Sequence, residues 1–345
     1  DALDLIEVEY EVLEPVIDAE YGASPDSPLI HPNLEDYQVA SFILPQPNSN
    51  ISNYFKIRKG DTDSAWEKCA AVVERKYRIP HIQHVPIEPH VAVAQVEESG
   101  EITLWGSSQS PFAQRNLIAQ ALGISQSDMR VIAPYVGGGF GSKAGVSMES
   151  LAVAVAFVRQ GLIAFFKMGC DEQGNLLAME NKFYWDAGAY TEYGVNITRA
   201  SGYSSTGPYE VPNVTTDSYC VYTNHPVGGP MRGFGMPEMH AGLEQCIDEL
   251  AAAVGMDQVE FRRINCLKDG DTLVTGSKMH PTGLSQCLEK TAEAIGWGQK
   301  AEPSAPNKRR GKGLALMWKA PAMPPNAGSS AWVELAEDGR VTVGV

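Results

Sequence analysis

The sequence has no run of apolar residues close to the ~20 that a membrane-spanning helix requires. Its longest candidate, SLAVAVAFV at 150–158, is far too short. Positive charge is also scarce, because 27 lysines and arginines face 42 aspartates and glutamates, which gives a net charge of -15. A chain this acidic is not expected to bind nucleic acid or an anionic membrane surface. What remains is a globular protein of ordinary composition, with 43% hydrophobic and 20% charged residues.

Cysteine motifs are missing as well. The six cysteines include no CxxC pair, so the sequence offers no zinc ribbon and no iron–sulfur ligand set. Apolar neighbours favour buried, reduced thiols and a cytoplasmic location. The histidines of PHIQHVPIEPH, which are His81, His84 and His90, have the spacing of neither a helical metal pair nor a zinc finger. We interpret them as structural or pocket-lining residues.

The opening residues also lack the pattern of a targeting segment. The opening DALDLIEVEYEVLEP is acidic, lacks an initiator methionine and resembles neither a signal nor a transit peptide. The final RVTVGV has the pattern of a strand with no successor. Together these features lead us to expect an internal fragment of a longer protein.

Helix and strand patterns are mixed without regular βαβ alternation, which predicts an α+β or mixed α/β layered fold. Capping signals and apolar stripes predict helices at 61–77, 110–123, about 147–156, a stretch ending at Gly255, one beginning at Asp257, and 285–296. Alternation predicts strands within 4–19, a hairpin around 98–100, and strands at 128–136, 162–169, 175–185, 215–224, 311–319, 329–339 and 340–345. Residues 20–50 are rich in Pro, Ser and Asn and predict an extended linker.

The stretch APYVGGGFGSKAG, residues 133–145, places one aromatic ring, Phe140, among four glycines. A strand that ends in such a run can expose successive backbone N–H groups to an anion or a polar ring system. The motif is not a P-loop, and no acidic residue about 20 positions later completes a dinucleotide fingerprint. The glycines alone leave two interpretations open: a cofactor loop, or a structural bulge or tight turn.

A second glycine-framed phenylalanine lies in HPVGGPMRGFGMPEM, residues 225–239. Arg232 offers a bidentate donor fork, and Phe234 offers a stacking face. The alternative is a turn with a solvated arginine. In LWGSSQSPF, Gln109 stands where a strand gives way to a helix, and its amide can donate and accept towards a ligand or belong to an ordinary loop.

Taken together and in order, five segments resemble the xanthine oxidase family of molybdenum hydroxylases. They are SSQ at 107–109, GGGFGSK at 137–143, DAGAY at 186–190, GPYEVPNV at 207–214 and RGFGMPE at 232–238. That family includes xanthine dehydrogenase, aldehyde oxidase and nicotinate-type dehydrogenases. The resemblance implies the first half of a molybdopterin-binding subunit. It makes residues 1–20 the end of a hammerhead-type domain, 21–50 a linker, and 51–345 a first molybdopterin-binding domain that is truncated and lacks a segment near 156/157.

The resemblance also implies roles for individual residues. Gln109 and Phe234 would be catalytic, with Gln109 bonding to the metal centre and Phe234 stacking on the substrate. The substrate pocket would include Phe140, Ala144 and Phe234, and no protein atom would ligate the molybdenum. The cofactor-binding set would be Gln109, Gly138, Gly139, Phe140, Gly141, Met231 and Arg232. Bare backbone at Gly141 would leave room for the cofactor, so Gly141→Val would remove it without unfolding the chain.

The implied cofactor is molybdopterin with molybdenum, in its cytosine dinucleotide form, with 2Fe–2S and FAD on partner domains or subunits. The implied reaction hydroxylates an electron-poor carbon of an N-heterocycle or aldehyde with water and passes electrons to those centres. The expected partners are the second half of the molybdenum subunit, which carries the general base, an iron–sulfur subunit, a flavin subunit and a small-molecule substrate. The alternative is a non-catalytic molybdopterin-binding or assembly module. Two departures from the family pattern matter. Ala144 stands where purine enzymes place a glutamate, which argues against purine-type hydrogen bonding at that point. Gly233 stands where carbon monoxide dehydrogenases place a cysteine, which argues against the second metal that those enzymes hold there.

Overall fold

A computed structural model describes most of the chain. The described residues are 9, 11–37, 39, 41, 43–97, 99–144, 158–191, 193–299, 305, 307–308, 310–319, 332–335 and 340–344. The chain divides into two compact units. The first unit comprises Asp1–Ile82, Val158–Gly229 and Gly233–Lys319, and the second comprises Gln83–Phe157, Pro230–Arg232 and Ala320–Val345.

The described ranges form twelve strands and seven α-helices. The strands are β1 Ile51–Lys59, β2 Ala71–Ile79, β3 Ala92–Val96, β4 Ile102–Gly106, β5 Met129–Ile132, β6 Val158–Arg159, β7 Gly161–Cys170, β8 Leu176–Gly188, β9 Asn213–Tyr222, β10 Gly228–Gly229, β11 Trp332–Leu335 and β12 Val341–Gly344. The helices are α1 Ala19–Gly22, α2 Thr62–Trp66, α3 Pro111–Leu122, α4 Gly194–Tyr203, α5 Met236–Ala253, α6 Gln258–Asn265 and α7 Leu284–Ala294. Single 3-10 turns occur at Leu34–Asp36 and Gln126–Asp128.

The first unit is built on a five-stranded sheet of order β1-β9-β8-β7-β2. Only the β8–β9 pair is parallel, and the other neighbours are antiparallel. Helix α5 packs on β2 and β7, where Gly242 is bare because a Cβ there would lie 2.6 Å from the Phe166 ring. Phe166, Phe183 and Trp185 are fully buried with the apolar face of α5, which makes this layer the main core.

A buried ionic cluster joins α5 to α6. Arg262 donates from Nε and Nη2 to Glu244 Oε2 at 3.0 and 2.8 Å and from Nη1 to Asp248 Oδ1 at 2.7 Å. Tyr209 Oη donates to Glu244 Oε1 at 2.6 Å, and the Leu316 N–H donates to Oε2 at 2.8 Å. Burial raises the pKa of Glu244, although the nearby Arg262 opposes that shift. The carboxylate therefore depends on this ring of donors to stay charged in the core.

The second unit holds a three-stranded sheet of order β3-β4-β5. Strands β3 and β4 form an antiparallel hairpin, and β5 runs parallel to β4 after the α3 crossover. Gly123 ends α3 in the left-handed region with φ +67°. Strands β11 and β12 form a separate antiparallel pair.

Most predicted elements are confirmed, including the hairpin, α3, β5, β7, β8, β9, α5, α6 and α7. The six cysteines are free thiols: Cys170, Cys220, Cys246 and Cys266 are buried, Cys69 is half-buried and Cys287 is exposed. No helix in the described ranges is long and apolar enough to cross a bilayer.

The helix predicted at 61–77 is wrong. Only α2 forms there, capped by Asp61, whose carboxylate accepts from Ser64 N. The rest of the stretch becomes β2, because Val73 and Tyr77 face the core of a sheet and pair with β7 along its length. Tertiary pairing thus overrides a helical stripe that was apolar on one side.

The strand predicted at 311–319 is also wrong. Its described backbone joins no sheet, although Leu314 and Leu316 are buried against the first core. The described part of 4–19, residue 9 with 11–19, contains no strand. The predicted helix at 147–156 and the suspected gap at 156/157 lie outside the described residues, which resume at Val158.

Helix α4 was not predicted. Its sequence GVNITRASGY carries two glycines and several β-branched residues, which disfavour an isolated helix. Packing explains it: a Cβ at Gly202 would lie 2.2 Å from Phe55 Cδ1, so the glycine lets the helix lie directly on β1.

Candidate functional site

The two glycine-framed phenylalanines share an unusual backbone. Phe140 has φ 54° and Phe234 has φ 57°, both in the left-handed region that disfavours a bulky side chain. Among the described residues only Asn48 and Val85 are other non-glycine residues with positive φ. Strained aromatic residues of this kind are characteristic of functional loops, because the surrounding structure must hold them there.

The glycine loop of the second unit, Gly137–Gly141, carries three backbone N–H groups without an acceptor. Gly137 N donates to Glu88 Oε2 at 2.5 Å, and Gly141 N donates to Gln109 Oε1 at 2.9 Å. Between them, the N–H groups of residues 138–140 have no hydrogen-bond partner in the part of the chain that the structure describes. Consecutive unpaired N–H groups are what an anion or an acceptor-rich ring system binds.

The side-chain carbonyl of Gln109 holds this residue against the loop. Its Oε1 accepts from Gly141 N at 2.9 Å and from Lys143 N at 3.3 Å, and its own N–H donates to Lys143 O at 2.7 Å. Because both partners of Oε1 are donors, the amide orientation is fixed, and the Nε2 group faces away from them. Gln109 is exposed, and its Nε2 has no partner among the described residues, so the site presents an oriented donor.

Glu88 anchors both ends of the loop. Besides bonding to Gly137, its Oε2 accepts from Lys143 Nζ at 2.6 Å, and its backbone O accepts from the same ammonium at 2.9 Å. The Lys143 side chain is 0% exposed, so the salt bridge removes this cation from the loop surface. The hydrogen bond from Lys143 is the main reason that the pKa of Glu88 lies below its ordinary value. The sequence analysis missed Glu88, since nothing in PHIQHVPIEPH marks it.

At two glycines of the loop, neighbouring protein atoms occupy the space that a side chain would need. A Cβ at Gly141 would lie 2.0 Å from Pro230 O, and one at Gly139 would lie 2.2 Å from Gln109 Oε1. Gly141 also has φ +107°. The expectation that Gly141→Val leaves the fold intact is therefore wrong, because the missing side chain makes room for the 230–231 backbone. His84 Nε2 holds the same Pro230 O at 2.6 Å.

The second glycine-phenylalanine stretch begins in the same unit as the loop. The backbone of Pro230 and Met231 lies against Gly141, and Arg232 follows with an exposed side chain. No hydrogen bond or ion pair joins the Arg232 guanidinium to another described residue. Ala144 closes the loop by donating its N–H to Gly141 O at 3.1 Å.

Phe234 belongs to the first unit. It sits between Gly233 with φ +111° and Gly235 with φ +88°, just before α5. Its ring meets Tyr193 edge-on, with centroids 6.4 Å apart, and is partly buried against the first core. The backbone strain at Phe234 thus repeats that at Phe140, and the Phe234 ring also has an aromatic neighbour.

Comparison with known proteins now identifies the family. The family description "Molybdopterin cofactor-binding domain" matches residues 44–162 and 157–266. The chain belongs to the molybdopterin cofactor-binding domain family. The matched ranges contain Gln109, the glycine loop, Arg232 and Phe234.

Similar proteins occur in bacteria. The nicotinate dehydrogenase large molybdopterin subunit of Eubacterium barkeri is 32% identical over 296 residues, which cover 80% of this chain and 66% of that protein. The xanthine dehydrogenase molybdenum-binding subunit of Escherichia coli O157:H7 is 29% identical over 339 residues, which cover 91% of this chain and 43% of that protein. The chain thus spans only part of the length of these relatives.

Solved structures agree with the family assignment. The aldehyde oxidoreductase from Desulfovibrio gigas is 26% identical, with a TM-score of 0.80 over 99% of this chain and 39% of that one. The enzyme of the same name from Desulfovibrio desulfuricans is 28% identical, with a TM-score of 0.81 over 97% of this chain and 38% of that one. The predicted fold class, a mixed α and β molybdopterin-binding domain, is confirmed.

The strained backbone at Phe140 predicts that a residue better suited to positive φ will stabilise the protein. We expect Phe140→Asn to raise the free energy of unfolding by up to about 1 kcal/mol, because asparagine tolerates the left-handed region. Phe140 is 42% exposed, so the packing lost with its ring offsets part of this gain and keeps the expected net change small. Urea unfolding of the purified protein measures the change.

The matched control is Phe112→Asn, at a 40% exposed phenylalanine in α3 of the same unit. That backbone is helical, so asparagine should lower stability slightly instead. Equal destabilisation by both substitutions would show that Phe140 is not strained.

Proposed function

We propose that this chain binds molybdopterin with molybdenum, in its cytosine dinucleotide form, and works in a hydroxylase for N-heterocycles or aldehydes. The family assignment supports the molybdenum cofactor. The relatives named for nicotinate, xanthine and aldehydes support the substrate class. Two electrons leave the substrate in such a reaction, and the chain has no CxxC motif, so we propose iron–sulfur and flavin partners and the second half of the molybdenum subunit.

The donor set fits this cofactor. The N–H groups of residues 138–140, the Gln109 amide and the Arg232 guanidinium are all donors without an acceptor among the described residues. A molybdopterin dinucleotide is rich in acceptors, since it carries phosphates, a pterin carbonyl and oxygens at the metal. Lys143 lies close to the loop, but its charge is already paired with Glu88 and is not free to bind a phosphate. The cofactor would therefore be bound by the directed N–H groups of the loop and by the exposed Arg232 guanidinium.

Each residue then has a defined task. When bound, the cofactor supplies the two-electron oxidation of the substrate carbon with oxygen taken from water. Residues 138–140 would hold its acceptor groups, and Gln109 would offer an amide N–H to the metal centre. Arg232 would neutralise phosphate charge, with Met231 beside it in the sequence. Phe140 would shield the cofactor from water, Ala144 would leave space for substrate, and Phe234 would offer an aromatic face for stacking.

The run of unpaired N–H groups beside the oriented Gln109 amide is the single observation that carries this proposal. It leads to a test at Arg232, the exposed arginine of the second glycine-phenylalanine stretch. We expect Arg232→Gln to lower the molybdenum and pterin content of the purified full-length complex at least about tenfold, since a charge-assisted phosphate contact is lost. Metal analysis and fluorescence of the oxidised pterin measure both contents.

Arg130→Gln is the matched control, because Arg130 is an exposed arginine of the same unit on β5. It should leave both contents unchanged. Full cofactor in Arg232→Gln would remove the role assigned to this side chain. A complex that holds molybdenum and pterin but transfers no ¹⁸O from water to nicotinate or an aryl aldehyde would instead indicate the non-catalytic module.

A further inference from the structure

The first unit brings one aspartate and two histidines together. His225 Nδ1 lies 2.7 Å from Asp186 Oδ2, and His81 Nε2 lies 3.1 Å from the same oxygen. The ligand atoms of all three side chains lie within 4.8 Å of one another. The residues come from the segment after β2, from β8 and from the segment after β9.

We propose that His81, Asp186 and His225 form a binding site for a zinc-type divalent cation. Two imidazole nitrogens and one carboxylate oxygen are a ligand set that Zn²⁺ and its transition-metal neighbours prefer over Mg²⁺ or Ca²⁺. Tetrahedral zinc ligands stand about 3.4 Å apart, given metal–ligand distances of about 2.1 Å. The two spacings to Asp186 Oδ2, 2.7 and 3.1 Å, are shorter than that value, so the imidazoles must move slightly away from the carboxylate to admit an ion.

The carboxylate is oriented for this task. Asp186 Oδ1 accepts from Thr223 Oγ1 at 2.5 Å and from Gly188 N at 3.1 Å. Thr223 Oγ1 in turn accepts from the backbone N–H of His225 at 3.2 Å. These bonds occupy one carboxylate oxygen and leave Oδ2 directed at both imidazoles, as outer contacts do in established metal sites.

Among the described residues, the His81 ring contacts the His225 ring, with centroids 5.0 Å apart, and lies beside Asp186, yet it makes no hydrogen bond. Its ring is 19% exposed, and its Nε2, although 3.1 Å from Asp186, is outside hydrogen-bond geometry. Both ring nitrogens are thus buried without a hydrogen bond among the described residues. The His81 ring packs closely on Gly161, where a Cβ would lie 2.7 Å from the ring Cδ2. A cation between the three side chains satisfies the otherwise orphaned Nε2.

A fourth position is available beside the three ligands. They line a pocket of about 390 Å³ together with Arg78, Leu162, Tyr184 and Pro226. Arg78 is paired with Asp18 at 2.6 Å, so its charge is compensated. Three protein ligands and an open position leave room for a water molecule on the cation. The spacing along the chain had pointed away from metal binding, because each ligand comes from a different segment.

Zinc uptake by the full-length protein, purified without a histidine tag and with its partner chains, tests the site. We expect one additional Zn²⁺ per chain after dialysis against ZnCl₂, retained against excess Mg²⁺, with a rise in Tm. His81→Gln and His225→Gln should each weaken Zn²⁺ binding at least about tenfold, as measured by competition with a chromophoric chelator. His225 is 35% exposed, so its variant should fold even if the His81 variant does not.

His280→Gln is the matched control, because His280 belongs to the same unit and lies outside the three-residue cluster. It should leave Zn²⁺ affinity unchanged. Absence of the additional ion overturns the proposal. So does an ion whose affinity is the same in His225→Gln as in the unchanged protein. Molybdenum content, measured on the same samples, should not change, which separates this site from the proposed cofactor site.

Discussion

Arg262→Ala is expected to lower the free energy of unfolding by about 3–5 kcal/mol, the range for breaking one partner of a buried ion pair. The side chain is fully buried and donates to Glu244, Asp248 and the Gln258 carbonyl. Its removal leaves the Glu244 carboxylate in the core with only Tyr209 and the Leu316 N–H as donors. Chemical denaturation followed by circular dichroism measures the loss.

The adjacent Arg263 provides the control. It lies on the exposed side of α6 and pairs with Glu260 and Glu289 at the surface. Arg263→Ala should leave stability close to that of the unchanged protein, because exposed pairs are screened by water. The double variant Arg262→Leu, Glu244→Leu should recover much of the stability, since it leaves no unpaired charge in the core. Similar losses from the two single arginine variants would contradict the assigned role of the buried cluster.

Gly141→Val is expected to destabilise the second unit by roughly 3 kcal/mol or more, because overpacking and backbone strain add. The new Cβ would collide with the Pro230 carbonyl, and φ +107° is unsuited to a β-branched residue. Displacing the 230–231 backbone also moves Arg232, so the molybdenum content should fall to background. Thermal unfolding and metal analysis of the same preparation measure the two effects.

Gly123→Ala is the control for Gly141→Val, because it introduces backbone strain at positive φ without a steric clash. Gly123 also has positive φ, +67°, but a Cβ there would meet nothing within 4 Å. We expect a loss of only about 1 kcal/mol and full molybdenum content, as for an ordinary left-handed helix end. If Gly141→Val were as stable as Gly123→Ala, the close approach of Pro230 to the loop would be refuted.

Sequence patterns predicted elements well where local signals agreed with tertiary environment. Asp257 marks the start of α6 by accepting from Val259 N and Glu260 N, and Gly123 ends α3 in the left-handed region. They failed where pairing partners lay far away along the chain. Val73 and Tyr77 looked helical by spacing, yet β7 draws them into the sheet about 90 residues later in sequence. The glycines of α4 looked unfavourable until Phe55 packed on them.

The candidate site divides in the same way. Gln109, the glycine loop and Arg232 could be named as candidates because a short contiguous motif marks each of them, and their cofactor roles stay predictions. Glu88, His84 and the grouping of His81 with Asp186 and His225 could not be predicted, since no local pattern relates residues that meet across 39 to 146 positions.

The sequence by itself determined that the chain is acidic, carries no cysteine cluster and contains two glycine-framed phenylalanines of a molybdopterin-binding family. Only the tertiary structure decided why Gly141 must lack a side chain, which donors of the loop stay unpaired among the described residues, and that Lys143 is neutralised. The physical reason is that local composition restricts backbone conformation, whereas burial, steric overlap and hydrogen-bond partnership depend on groups that folding brings together from distant segments.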